Sequence, residues 1–292
     1  MTRLIHALLR FYCTHSPLEF GKGRLQKIGR SLMKGETLQV ETRHDVTVEI
    51  TLPEDAGWEM LFYRTTFETG TTEVLERILR VDDVFLDIGA NIGWYTLIAS
   101  KQAPHGKCHA FEPVPFIFEK ARKNWELNRF ENEVVFNNMA LGSEVGAELT
   151  MYTFDGLYHG HSSSSTLGRS DYTATTVAST TLDNYIAERQ LDRVDVVKMD
   201  TEGGEMNVLQ GATALLSRPL PPVWIIEMNR ETSGKFGHDP ADLLDFIAER
   251  GDYSFYVVKR GWGRLQKMTS TRDYGDGDNA ICVPNGRDYL RL

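Results

Sequence analysis

Val84-Phe85-Leu86-Asp87-Ile88-Gly89-Ala90-Asn91-Ile92-Gly93 reads as a short apolar strand ending in an acid, then a glycine turn and the start of a helix. Glycine suits a place where the backbone must approach a ligand closely, and free amides at a helix start favour anionic groups. A nicotinamide dinucleotide prefers G-x-G-x-x-G at such a turn. With Gly89 as the first glycine, Asn91 and Trp94 fall on the second and third positions, so that pattern fails. Outward from this turn, apolar runs with β character recur at residues 107–111, 134–136, 194–199 and 223–227, and helical patterns lie at residues 92–99, 116–127 and 205–216. Near-continuous apolar strands alternating with helices predict a doubly wound α/β fold, a parallel sheet covered on both faces. Asp239-Pro240-Ala241-Asp242 supplies an N-cap, a first-turn proline and an acid, and predicts a helix through Ile247. Residues 253–258 and 279–283, on either side of a glycine-rich hairpin-like stretch, are expected to be the last two strands.

The second chemical element is Glu112, at the tip of the strand that follows the glycine turn. It comes at about the 20-residue spacing at which dinucleotide folds place their ribose acid, and a carboxylate there accepts both ribose hydroxyls. Asp87 repels a pyrophosphate but accepts a hydrogen bond from an ammonium group. A ribose and a cationic amino acid in one cleft point to S-adenosylmethionine.

The chain has 292 residues, 41% hydrophobic and 25% charged, which excludes disorder and a disulfide scaffold. Its net charge of -9 disfavours nucleic acid, whose phosphates call for a surplus of Lys and Arg. Cys13, Cys108 and Cys282 are far apart and lack metal-ligand spacing. The apolar stripe Leu4, Ile5, Leu8, Leu9 and Tyr12 is too short and too polar for membrane insertion or export, so a cytoplasmic location is expected. Arg3, Arg10, Lys22, Arg24, Lys27, Arg30 and Lys34 face only Glu19 and oppose the charge of the rest. The expected division is a basic segment with a β-hairpin over residues 1–60, from the alternation Val40, Thr42, Val46, Val48 and Ile50, and a catalytic domain over residues 61–292.

Asp200-Thr201-Glu202-Gly203-Gly204-Glu205 ends the fourth predicted core strand and opens a helix, which puts its acids at the rim of the cleft. Methyl transfer from a sulfonium needs an aligned nucleophile, exclusion of water and, for a hydroxyl, a proton acceptor. Glu202 is the first candidate base, and Asp200 organises the base or the cofactor amine. His161, in the histidine- and serine-rich loop of residues 155–165, is the alternative base because an imidazole titrates near neutrality. Glu205 is expected only to favour the helix N-terminus. Asp200, Glu202 and Glu227 are oxygen donors suited to magnesium, but no metal is expected.

These residues resemble the FkbM family of S-adenosylmethionine-dependent methyltransferases. The resemblance rests on Phe85-Leu86-Asp87-Ile88-Gly89-Ala90-Asn91-Ile92-Gly93-Trp94-Tyr95-Thr96-Leu97, Phe111-Glu112-Pro113, Asn138-Met139-Ala140-Leu141-Gly142, Thr181-Leu182-Asp183-Asn184-Tyr185-Ile186 and Val197-Lys198-Met199-Asp200-Thr201-Glu202-Gly203-Gly204-Glu205. It covers about residues 68–227 and continues more weakly to Pro284. It implies a class I, Rossmann-like sheet of seven strands in the order 3-2-1-4-5-7-6 with the last strand antiparallel. It also implies that Asp87, Gly89, Asn91 and Gly93 cradle the methionine half of the cofactor, that Glu112 with Pro113 takes the ribose, and that Asn138, Met139 and Ala140 border the adenine. Gly204 departs from the alanine usual there. The expected function is O-methylation of a hydroxyl on a small molecule or carbohydrate. N-methylation of a peptide or small molecule, or a silent cofactor-binding scaffold, are the alternatives.

Overall fold

The computed structural model describes residues 8–9, 11–13, 37–51, 59–154, 162–259 and 264–286. The described chain opens with a hairpin of β1 (Thr37–Glu41) and β2 (Thr47–Thr51), followed by α1 (Glu59–Arg64) and α2 (Thr69–Ile78). The α/β core then runs β3 (Val84–Ile88), α3 (Trp94–Gln102), β4 (Lys107–Phe111), α4 (Pro115–Glu126) and β5 (Glu133–Asn137). An insertion follows, made of β6 (Ala140–Leu141), β7 (Glu148–Phe154), β8 (Ser162–Ser163) and β9 (Tyr172–Thr180). The core resumes with α5 (Leu182–Glu188), β10 (Val196–Met199), α6 (Glu205–Gln210), α7 (Thr213–Leu216), β11 (Val223–Met228), α8 (Arg230–Lys235), α9 (Pro240–Ala248), β12 (Tyr253–Lys259), β13 (Arg264–Lys267) and β14 (Asp278–Pro284).

The main sheet has eight strands in the order β13-β12-β14-β11-β10-β3-β4-β5. Seven of them reproduce the expected 3-2-1-4-5-7-6 order, with β14 antiparallel to both neighbours. The expectation of seven strands is corrected by β13, which pairs antiparallel with β12 at the edge. Its sequence Arg264-Leu265-Gln266-Lys267 gives one half-buried apolar side chain, too little periodicity to mark a strand. The expected helix over residues 205–216 is likewise two short helices. They are separated at Gly211, where a Cβ would stand 2.1 Å from the Gly142 carbonyl oxygen of the insertion.

Alternation along the strands divides the core into two layers. Leu86, Val197, Met199, Trp224 and Ile226 face α5, α6, α7 and α9. Phe85, Val196, Val223 and Ile225 face α2, α3 and the hairpin, whose Val40, Val46, Val48 and Ile50 join the same cluster. Cys13 is buried against Leu38 and Phe62, so part of the front segment packs on the hairpin. The Asp239 capping box and Pro240 open α9 as the sequence predicts. Among the described residues no helix is long and apolar enough to cross a membrane.

Candidate active site

The C-terminal ends of β3, β4, β10 and β11 open into a cleft of about 360 Å³, closed on one side by the insertion sheet. The volume lies in the range of small-molecule and cofactor sites. At the end of β3 the chain turns sharply, with Gly89 at φ 80° and a hypothetical Cβ 1.8 Å from the Asp200 carbonyl oxygen. Glycine is therefore required where the β3 and β10 ends touch. The amides of this turn are not free for an anion, contrary to the sequence expectation. Gly89 and Ala90 both donate to the Phe111 carbonyl, and Gly93 donates to the Ala90 carbonyl. The Asn91 amide donates to Glu112 Oε2 at 3.0 Å, and the Val114 amide to Glu112 Oε1 at 3.0 Å.

Glu112 is thus clamped by one amide on each oxygen, and each oxygen keeps a second lone pair. Burial lifts its carboxyl to about 7. Asn138 steadies the same turn from below, donating to the carbonyls of Glu112 and Pro113, both at 2.9 Å. Phe111, Pro113, Met139 and Leu141 add an apolar wall beside the carboxyl. A diol acceptor next to an apolar slot fits a nucleoside, so the residues present suit the ribose and adenine of S-adenosylmethionine.

The opposite end of the cleft is acidic. Glu68, Asp200, Glu202 and Glu227 line it, together with Tyr95 and Lys198. Lys198 is 1% exposed, an unusual state for an ammonium group, and its Nζ lies 3.5 Å from Asp200 Oδ2 and 5.3 Å from the Tyr95 ring centroid. Burial opposes its charge, but Asp200, Glu68, Glu227 and Asp87 together hold its pKa above the usual lysine value. The Tyr95 hydroxyl donates to Glu68 Oε2 at 2.5 Å, and Asn279 Nδ2 donates to the same atom at 3.4 Å. Loss of hydration is the main cause that raises Glu68.

The Asp200–Glu205 turn is built around Glu205, which is 2% exposed. Its Oε1 accepts from the Thr201 amide at 2.8 Å, the Thr201 hydroxyl at 3.0 Å and the Gly203 amide at 3.2 Å. Glu202 has φ 54° and Gly203 φ 106°. Outside glycine such a conformation costs about 1–2 kcal/mol. The Ser163 hydroxyl of β8 donates to the Glu202 carbonyl at 2.8 Å, so the insertion sheet holds this turn from the other side.

Of the residues singled out from sequence, Gly89, Asn91, Glu112, Pro113, Met139, Ala140, Asp200 and Glu202 line one cleft. Asp87 and Gly93 lie behind its wall, and Asn138, exposed beside it, braces the Glu112 turn. Asp87 is 1% exposed and accepts from Thr96 Oγ1 at 2.6 Å, and burial lifts it to about 6. Gly93 is the left-handed N-cap of α3. His161 lies outside the described residues.

Residues 87–254 match the Methyltransferase FkbM domain. The chain belongs to the FkbM methyltransferase family. The FkbM-family relatives include the 31-O-demethyl-FK506 methyltransferase FkbM of Streptomyces tacrolimicus, 32% identical over 46% of this chain and 60% of that one. The hexuronic acid methyltransferase AglP of Haloferax volcanii is 29% identical over 58% of this chain and 62% of its own. The chain thus matches about three fifths of the length of these relatives. Among solved structures, the O-methyltransferase TomG of Streptomyces achromogenes in complex with SAM aligns at 14% identity and a TM-score of 0.41, over 76% of this chain and 82% of that one.

Lys198, Tyr95 and Glu68 have no role in the sequence motifs above, and Glu227 enters there only as an oxygen donor suited to magnesium, yet all four line this FkbM-family cleft. The overlooked signal was Lys198 itself. A lysine inside the apolar run of residues 194–199 must be buried, and a buried ammonium requires carboxylates around it.

Proposed function

We propose that the chain is an S-adenosylmethionine-dependent methyltransferase acting on a hydroxyl of a small molecule or carbohydrate. The observation that carries this reading is the polarity of the cleft. One end holds the Glu112 carboxyl, clamped by two amides with a lone pair left on each oxygen, and the other end is lined by Asp200 and Glu202. In this reading Glu112 accepts the ribose hydroxyls, and Pro113, Met139 and Ala140 flank the adenine. When bound, the cofactor supplies a sulfonium-activated methyl group, which needs little electrophilic help from the protein. Glu202, at the strained end of the turn, takes the hydroxyl proton, and Asp200, fixed beside Lys198, orients the base. Leu149, Met151, Ser162 and Ser164 of the insertion face the same space and supply a mixed apolar and hydroxyl surface for the acceptor. The names of the relatives support the acceptor class, 31-O-demethyl-FK506 in one and a hexuronic acid in the other.

The experiment is calorimetry with S-adenosylmethionine, S-adenosylhomocysteine and NAD, followed by transfer of labelled methyl to a panel of glycosides and polyketides. Binding of the first two and not of NAD, with label on an acceptor oxygen, is the expected result. Label on nitrogen, or binding with no transfer to any acceptor, overturns the O-methylation reading.

A further inference from the structure

Four carboxyls line the acidic end of the cleft against a single ammonium among its described lining residues, and strand register fixes how they meet. Met199 of β10 is paired with Ile226 of β11, so the next residues, Asp200 and Glu227, end adjacent parallel strands side by side. Lys198 is paired with Asp87 of β3, two residues below Asp200 on the same face. Glu68 approaches from the start of α2, held by Tyr95 of α3 and Asn279 of β14. Glu227 is itself the register partner of Asn279. Glu202 completes the ring from the turn after β10.

Like charges at such spacing do not all ionise. The partners decide which carboxyl keeps a proton. Asp200 has the Lys198 ammonium, Glu68 has a tyrosine hydroxyl and an amide, and Asp87 has Thr96. Among the described residues none donates a hydrogen bond to the Glu227 carboxyl. Asp200 and burial push its pKa up to about 10, with Glu202 adding to the effect.

We propose that Glu227 stores the proton of the catalytic cycle: its carboxyl is protonated in the cofactor-free cleft, releases that proton to solvent when the cationic donor enters, and recovers one from the acceptor hydroxyl after transfer. This rests on the cofactor reading above. The donor carries a sulfonium, an ammonium and a carboxylate, net one positive charge, and its arrival replaces the charge of the displaced proton. On transfer the carbon–sulfur bond breaks with its electron pair left on sulfur, the carbon–oxygen bond forms, and the positive charge on sulfur disappears. The hydroxyl proton, taken first by Glu202, then settles on Glu227, whose carboxyl receives no hydrogen bond from the described residues around it. One proton leaves per turnover, at the donor-binding step.

The test is calorimetry near pH 7 in buffers of different ionisation enthalpy, with three probes: S-adenosylmethionine, S-adenosylhomocysteine and an analogue with a protonated amine in place of the sulfonium. Both cationic probes should release about one proton more than the neutral thioether, which displaces only the proton that Glu112, near 7, still holds. In Glu227→Gln that difference between cationic and neutral probes should vanish while all three still bind. The comparison among probes on the unaltered protein stands even if that variant fails to fold. Equal proton release by cationic and neutral probes, or an excess for the cationic probes that persists in Glu227→Gln, overturns the proposal and leaves the cofactor assignment in place. Failure of all three probes to bind overturns both.

Discussion

At the scale of single residues, Glu112 is the side chain whose removal reports most directly on the cofactor. Glu112→Ala deletes two charge-assisted acceptors, and S-adenosylhomocysteine affinity should fall by about 1.5–3 kcal/mol for the pair, measured by calorimetry. Unchanged affinity would place the ribose elsewhere. Because burial lifts this carboxyl to about 7, the accepting carboxylate must be formed against that shift. Affinity should therefore weaken as pH falls below that value, approaching about tenfold per unit, and the dependence should flatten in Glu112→Gln. For catalysis, Glu202→Gln should lower turnover by about 10²- to 10⁴-fold with little change in cofactor affinity, the pattern of a lost base. A larger effect from His161→Ala in the same single-turnover assay would move the base to the loop.

At the scale of elements, the joint between β3 and β10 leaves no room for any side chain at Gly89, where both φ and the Asp200 carbonyl forbid a Cβ. Gly89→Ala should cost about 3 kcal/mol or more in chemical denaturation, because the two strand ends that carry Asp87 and Asp200 must part. A cost below about 1 kcal/mol would mean that this turn is looser than described. The parallel strands were legible because each is a short apolar run preceded or followed by a helical period, the pattern that burial on both faces imposes. The insertion sheet was not. Glu148 to Thr153 and Tyr172 to Thr180 alternate polar residues on an exposed face with few buried apolar ones, so their pairing comes from the partner strand more than from local pattern. The break between α6 and α7 was hidden for a similar reason, since only the contact with Gly142 explains Gly211. In the site, Glu112, Asp200 and Glu202 stand in contiguous sequence blocks and could be read directly. Glu68, Tyr95, Lys198 and Glu227 come from four separate elements, and only the register of β10 and β11 and the packing of α3 gather them.

For the whole molecule, the raised carboxyls have a thermodynamic consequence. Glu112, lifted to about 7, and Glu227, to about 10, bind protons in the folded state at pH values where the unfolded chain has released them. Their contribution to stability is complete below the ordinary carboxyl range and is lost as pH rises through the folded values. Burial lowers His109 to about 4, which acts in the opposite sense but only below about pH 6.5, where the unfolded imidazole takes up a proton. From about pH 6.5 to 9 the melting temperature of the cofactor-free protein should therefore fall, and fall less in Glu227→Gln; a rise over that window in scanning calorimetry would contradict the assigned protonation. The insertion sheet gives the molecule a different kind of freedom. Among the described residues it meets the core through Gly142 against Gly211, β8 on the Glu202 carbonyl, Leu141 in the main apolar core, Asn184 donating to Thr180, and a small apolar cluster in which Met151 and Val177 pack on Val114 and Ile117. In the proposed reading, the wall that faces the acceptor is thus a cassette with its own plugs. A transplant from a relative should fold on this body if it brings a serine to meet the Glu202 carbonyl, keeps an apolar residue at Leu141 and leaves the Gly211 notch clear, and in that reading it would exchange acceptor choice without rebuilding the rest of the cleft.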